Sequence, residues 1–406
     1  MIAAATRKRF SIGTTVSVQM GVTTCLLVNL PSVKFMALTR LLNVLVIVSL
    51  LACLFARVFV LRERISIGRT RQVFLCAFGL LIYFLLLSGL IGARAVADWT
   101  EVGRILSLLV AVPVVLTAIR PSDVRVFLIA QAGWSVGVAL WQMTYGFTVR
   151  GDIGLHYLNL GVGIAGGLVV LGGAAIFDRR LSLRLLSVIG MLICFGGLLR
   201  LYGRAPIFFS SFVVVLFAVA SSVVRGSSLS RVARLAVVAS IVTIGVVQGI
   251  GYLSKNWYGW RRIENALYAP QQEPRIEILQ RSFGVLMERP VFGSGLNAAE
   301  TVLGYYPHNI FLDVAISAGL PALACLIVLL VILGRATIAA LWGPVEVAAP
   351  AMLAVYYFMT WNVSFTIGNS YVLFGAMAIV VAIYEHRKKE DRRIRIPVVK
   401  TVAVAS

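Results

Sequence analysis

The chain has 406 residues, of which 60% are hydrophobic and only 13% charged, and its mean hydropathy is +0.93. Soluble domains are nearer half apolar and about a quarter charged, so the composition excludes a soluble protein and points to an integral membrane protein. The net charge of +21 would indicate nucleic acid in a soluble chain; here it reads as the Lys and Arg excess that membrane proteins keep on the cytoplasmic side, and nucleic acid is not an expected partner.

Apolar runs near 20 residues recur along most of the chain, the length a helix needs to cross ~30 Å of hydrocarbon. They do not alternate in polarity as barrel strands do. The expected fold is therefore all-α and polytopic, one membrane domain over 1–406. About twelve spans are placed near 12–30, 38–56, 73–91, 102–119, 126–145, 158–177, 183–200, 206–224, 232–252, 309–333, 347–363 and 370–385. The first, rich in Thr, Ser and Gly, and the eleventh, carrying Trp361 and Asn362, are the weakest. Arg7, Lys8 and Arg9 before the first run read as a cytoplasmic anchor rather than a cleaved leader. With the N-terminus inside, the cytoplasmic turns are basic at nearly every position: Arg57 to Arg71, Arg120 and Arg125, Arg179 to Arg184, Arg225 to Arg234, Arg335 and the tail HRKKEDRRIR. The expectation is an even number of spans with both termini cytoplasmic and the tail near anionic lipid.

The loop 253–308, between the ninth and tenth spans, is the sizeable extramembrane piece. Pro274 suits the first position of a helix, and Ile276, Leu279, Phe283 and Leu286 recur at helical spacing, so 275–288 reads as an amphipathic helix. Pro290, Gly293 and Gly295 end it. Trp257, Tyr258 and Trp260 suit a membrane–water interface. No internal repeat is evident.

His308 stands where this loop meets the tenth span, on the outer face. Exposed backbone N–H groups at a helix start disfavour imidazolium, and a neutral imidazole can accept a hydroxyl proton; the alternative is an interfacial His or a simple helix cap. Arg200 ends one span and Arg204 opens the next, both on the outer side, where the charge rule gives them no role. Arg204 would stand beside free helix N–H groups, a favourable place for phosphate, and guanidinium matches phosphate oxygens bidentately; the alternative is snorkelling to headgroups. In the loop, Arg275 opens a helix where a cation is unfavourable, which marks it as the loop's candidate. Arg281 also enters the candidate set, although Glu277 four residues earlier explains it as a helix-surface pair, and Arg289 suits a helix end. Arg261 and Arg262 remain candidates, and His156 could line the same cavity or be a polar loop residue. Asp313 is an acid inside a span, costly unless partnered; with Asn309 one turn before it, it reads as the partner of an outer arginine or as an orienter of the site. No acid lies near 31–37, and Asp98 and Glu101 each have an arginine nearby, Arg94 and Arg104, so no metal is expected. The five cysteines (25, 53, 76, 194 and 325) lie in apolar runs without a C-x-x-C pair and read as small buried hydrophobes.

Three stretches, "YGRAPIFFSSFVVVLF", "PRIEILQRSFGVLMERPVFGSGLN" and "PHNIFLDVAISAGLPALACLIVLL", together resemble the O-antigen ligase and polymerase superfamily of bacterial inner membranes. They cover roughly 200–333 in the family's order, with one large outer loop between them. The resemblance implies an inner-membrane glycosyltransferase, active at the periplasmic face without metal or cofactor. Its donor would be an undecaprenyl-diphosphate-linked glycan, and its acceptor a glycan or the lipid A core. Carried over by position, Arg204 and Arg275 would bind the diphosphate and His308 would be the base or orient the acceptor; Arg200 is an added candidate. Ligation to lipid A core is placed ahead of repeat-unit polymerisation, with a flippase or transporter of lipid-linked glycan as the alternative of another class.

Overall fold

The computed structural model describes residues 2–30, 39–65, 67–91, 99–145, 157–201, 204–225, 274–296, 298–304, 307–365, 367 and 370–402. Among the described residues all regular structure is helical. In chain order the helices are α1 (Ile2–Asn29), α2 (Thr39–Phe55), α3 (Arg69–Ile91), α4 (Trp99–Ala118), α5 (Pro121–Tyr145), α6 (Tyr157–Phe177), α7 (Leu181–Leu199), α8 (Arg204–Arg225), α9 (Pro274–Glu288), α10 (Ala298–Leu303), α11 (Ile310–Ala340), α12 (Val345–Trp361) and α13 (Tyr371–Val402). Among the described residues nine helices, α1 to α8 and α11, contain stretches long and apolar enough to cross a membrane. They fall where the first eight expected spans and the tenth lie. The ninth, 232–252, is outside the described residues. The eleventh falls on α12, which has 17 residues, and the twelfth on α13, whose apolar stretch ends at Glu385.

Burial explains why α12 and α13 look weak as spans. Both run through the interior: Ala348 to Ala354, Tyr356, Tyr357 and Trp361 on α12, and Val372 to Ile383 on α13, are nearly all inaccessible. A helix wrapped by protein need not be uniformly lipophilic, and α12 buries Tyr356, Tyr357 and Trp361. α6 is the most enclosed of the nine, packing on α5, α7, α8 and α12. Its glycines make this possible, since a methyl group at Gly167 would collide with Ser135, and one at Gly173 with Ala349. Small residues at such crossings let backbones approach where no hydrophobic drive joins helices within lipid.

One end of the bundle is tied by ion pairs. α2 finishes in a π-helical turn, Ala56–Val60, on which Arg57 is buried. One Arg57 nitrogen, Nη2, reaches both oxygens of Asp123 at 2.7 and 2.8 Å. Asp123 also accepts the Arg120 backbone N–H, fixing the start of α5. Arg71 pairs with Glu385 at 3.1 Å, Arg120 with Glu63, and Arg125 with Glu346. These pairs join α2 to α5 and α5 to α12, and α3 to α13, at what is called the Arg57 end. Cys25, Cys53 and Cys194 are buried as expected and Cys325 half-buried, but Cys76 is exposed on α3: a thiol is small and apolar enough to face lipid as well as core.

Candidate functional site

The opposite, His308 end is organised by a broken helix. At 1.5 Å per residue, the 31 residues of α11 would span roughly 46 Å, more than the ~30 Å a bilayer core requires. The helix is interrupted at Gly319, with φ 83° and ψ 178°. Pro321 lacks an N–H and its ring displaces the carbonyl four residues back, that of Ser317. The freed groups are taken by the turn that follows α9. Ser294 N–H donates to the Ile316 carbonyl at 2.7 Å, Gly295 N–H to that of Ser317 at 3.2 Å, and Leu320 N–H to that of Pro290 at 2.8 Å. The Ser88 hydroxyl of α3 also donates to the Ser317 carbonyl.

Two glycines permit this docking. Gly293 has φ 70°, and a Cβ there would stand 2.5 Å from the Ala318 nitrogen; a Cβ on Gly319 would sit on the Val291 carbonyl oxygen. Both positions need glycine for conformation and for space. The sequence reading took Gly293 only as a helix terminator. The structure makes it half of a backbone joint that separates 310–318 from the membrane-crossing stretch 320–340.

The segment 307–313 carries the candidate residues. Asn309 is the helix N-cap, its side-chain oxygen accepting from Phe311 N–H at 3.0 Å and Leu312 N–H at 3.1 Å. His308, at φ 53°, therefore lies outside the helix, and the capping role belongs to its neighbour. The His308 ring turns to the connection after α12, with Nδ1 3.0 Å from the Val363 carbonyl oxygen. A carbonyl can only accept, so Nδ1 carries the hydrogen, and a neutral ring then holds its lone pair on Nε2. Asp313 is buried and accepts the Ile367 N–H at 2.6 Å. This hydrogen bond comes from a backbone amide, where the sequence pointed to an outer arginine or to an orienting role in the site. His308 and Asp313 together grip the α12–α13 connection at two points. Sequence reasoning missed this connection; the polar run Trp361, Asn362 and Ser364 was the available signal.

Arg200 caps α7 and donates from Nη1 to the Met143 carbonyl at the end of α5, 3.0 Å away. This is a cation at two helix C-termini, where it is favoured. Arg281 is exposed and paired with Glu277 one turn before it, as the spacing indicated. Arg204 opens α8 and Arg275 stands in the first turn of α9, the helix-start positions expected of them; their side chains lie outside the described residues, as do Arg94, Asp98, His156, Arg261 and Arg262 and the aromatic residues at 257, 258 and 260. Glu101 is buried and pairs with Arg104 at 2.7 Å. Arg104, Asn43 and Tyr371 stand with Leu27, Leu30 and Ile47 around a small pocket between α1, α2, α4 and α13. Among the described residues no group of three or more His, Cys, Asp or Glu could hold a metal ion.

Residues 186–327 match the O-antigen ligase family model. The match supports membership of the O-antigen ligase superfamily. The matched region runs from within α7 to beyond the break in α11, and contains Arg200, Arg204, Arg275, Arg281, His308, Asn309 and Asp313. No curated protein matches the chain. Outside the matched region, too, the described residues include helices long and apolar enough to cross a membrane, α1 to α6 among them.

Proposed function

We propose that the protein transfers a glycan from undecaprenyl diphosphate to an acceptor hydroxyl, with ligation of O-antigen or a related surface polysaccharide to the lipid A core as its reaction. On this reading the His308 end faces the periplasm, and both termini are cytoplasmic. In the transfer, the bond between the anomeric carbon and the diphosphate oxygen breaks, and a bond from the acceptor oxygen to that carbon forms. The acceptor's proton goes to Nε2 of His308. The departing diphosphate carries its charge to Arg204 and Arg275, which sit where helix N-termini add their own positive potential. A diphosphate is already an activated leaving group, so charge stabilisation, positioning and one proton acceptor suffice.

The observation that carries the reading is the Val363 carbonyl on Nδ1 of His308, which orients the ring and makes Nε2 the basic nitrogen of the neutral imidazole. The transport alternative gains something from the broken helix, because discontinuous helices form substrate sites in transporters. The groups freed at this break, however, are bonded to the turn 290–295 and to Ser88, which leaves them occupied by the protein itself.

Gel profiles of surface glycan from a deletion strain test the proposal. Ligation requires loss of core-linked polymer bands with accumulation of lipid-linked polymer. Bands bearing a single repeat identify a polymerase. In vesicles reconstituted with the protein and donor, movement of donor between leaflets without any new glycosidic product would identify a transporter and overturn the proposal.

A further inference from the structure

The sequence pattern gives α9 one apolar face containing Ile276, Leu279, Phe283 and Leu286, but the structure divides its apolar residues in two. Ile278, Val285 and Leu286 are buried, with Ser282 between them, and α9 packs on α11. Val285 and Leu286 join Ala298, Ala299, Ala315 and Ile316 in a local core. Leu279, Phe283 and Met287, at i, i+4 and i+8, face outward, with Phe283 56% and Met287 63% exposed. Glu277, Gln280, Arg281 and Glu288 occupy the remaining arc and are also exposed. At 3.6 residues per turn, the three groups form adjacent sectors: protein-facing, apolar and exposed, polar and exposed. A helix surrounded by water has no use for the middle sector, because exposed apolar residues in a row of this kind mark an interaction surface.

The middle sector does not end with the helix. Val291 and Phe292 in the following turn are exposed. The bond from Leu320 N–H to the Pro290 carbonyl and the contact of Gly319 with Val291 set this turn against the start of the membrane-crossing stretch 320–340. Leu320 is itself exposed, and so are Ile327, Val331 and Ile338, which follow it at helical spacing down the side of α11. These are lipid-facing residues of a membrane helix. The outward stripe of α9 is therefore the upper continuation of a lipid-facing surface, turned through the backbone joint.

We propose that α9 and the turn after it are seated in the bilayer: Leu279, Phe283, Met287, Val291 and Phe292 enter the acyl region of the leaflet on the His308 side, while the Gln280–Arg281 face stays in water. The occupant of this surface is lipid acyl chain. An in-plane helix with an apolar face buried to ~5–10 Å is held by that area together with headgroup electrostatics. The seating fixes the first turn of α9, with Arg275, at headgroup depth. That is where the phosphates of a lipid-linked substrate would lie, a consequence that rests on the proposed function, whereas the seating itself does not.

The test uses the full chain in vesicles, with Cys76→Ser and Cys325→Ser removing the thiols that are not buried. An environment-sensitive fluorophore is placed at Phe283→Cys, Met287→Cys or Gln280→Cys. Lipids carrying a shallow nitroxide quencher are expected to remove most emission at 283 and 287 and little at 280, and aqueous iodide to do the reverse. Quenching of all three by iodide alone would overturn the proposal. Protection of 283 and 287 from both quenchers would also overturn it, and would mean that protein, such as a second copy of the chain, covers the stripe. None of these outcomes depends on glycan transfer, so failure here is distinguishable from failure of the proposed reaction.

Discussion

The two ends of the bundle are held by different physics. At the Arg57 end, side-chain charges join helices: Arg57 with Asp123, Arg71 with Glu385, Arg120 with Glu63 and Arg125 with Glu346. At the His308 end four cross-helix joints end on backbone groups. The α9 turn bonds to the break in α11, Asp313 to the Ile367 amide, His308 to the Val363 carbonyl and Arg200 to the Met143 carbonyl. The joint of the α9 turn with α11 uses no ionisable side chain, and in the others a single side chain meets a backbone group, so no charge in these joints depends on an opposite charge across the bundle. The difference implies that deleting a charge should cost stability at one end and chemistry at the other.

The largest separation is expected between two alanine substitutions. His308→Ala should lower transfer by about 10²- to 10⁴-fold, the usual contribution of a positioned general base, and Arg204→Ala should approach that loss by removing a donor from the leaving diphosphate. Both variants should keep the thermal unfolding midpoint of the parent in detergent. Normal transfer by His308→Ala in a reconstituted assay would remove this residue from the mechanism.

Asp123→Ala should behave in the opposite way. It leaves a guanidinium of about 3% exposure with only the longer contact to Glu63 at 3.6 Å, and breaking a buried pair by removing one partner costs about 3–5 kcal/mol. The expected outcome is a lower unfolding midpoint, with specific activity per folded molecule retained. Replacing both partners, Arg57→Met with Asp123→Leu, should recover much of the loss, since a well-packed apolar pair can match a buried ionic one. If the double variant is as unstable as the single one, the pair is doing more than compensating its own burial.

Gly319→Ala probes the backbone joint. A non-glycine residue held in a sparsely populated backbone region costs on the order of 1–3 kcal/mol, and here the added methyl also meets the Val291 carbonyl. The joint sets the direction of 310–318 and so of His308, and activity should fall by more than the loss of folded protein accounts for. The readout is the ratio of kcat/KM to folded fraction; a proportional fall would show that the joint supports the fold without orienting the site.

Much of this was legible in the sequence, and what was hidden has a common cause. Long apolar runs announce helices because nothing else crosses hydrocarbon, and Pro307, His308 and Asn309 before such a run announce a helix start. Glu101 and Arg104 are close in sequence, so their pairing could be read. Arg57 with Asp123 and Arg71 with Glu385 could not, because tertiary packing alone brings them together. The partners of His308 and Asp313 are a carbonyl and an amide, groups that every residue carries and that leave no mark in a sequence. The periodicity of α9 located an apolar arc but could not divide it, since protein interior and lipid select the same side chains: Leu279, Phe283 and Leu286 share one periodic pattern, yet Leu286 is buried beside Val285 while Leu279 and Phe283 are exposed.

The smallest effect is expected at Arg281, and it sharpens the comparison because this cation lies on the His308 side yet is paired as the Arg57-end cations are. Its bond to Glu277 joins two exposed side chains one turn apart on the same helix. Such pairs contribute about 0.3–0.5 kcal/mol and often less. Arg281→Ala should therefore leave the unfolding midpoint nearly unchanged. Arg281 entered the candidate set even though its spacing from Glu277 explained it as a helix-surface pair, and the structure places it on the exposed polar arc of α9. A Glu277→Ala variant separates the two roles. If Arg281 serves only the helix surface, both variants are equally silent in transfer. If it binds diphosphate, Arg281→Ala raises KM while Glu277→Ala, which releases the guanidinium from its partner, leaves KM unchanged or lowers it.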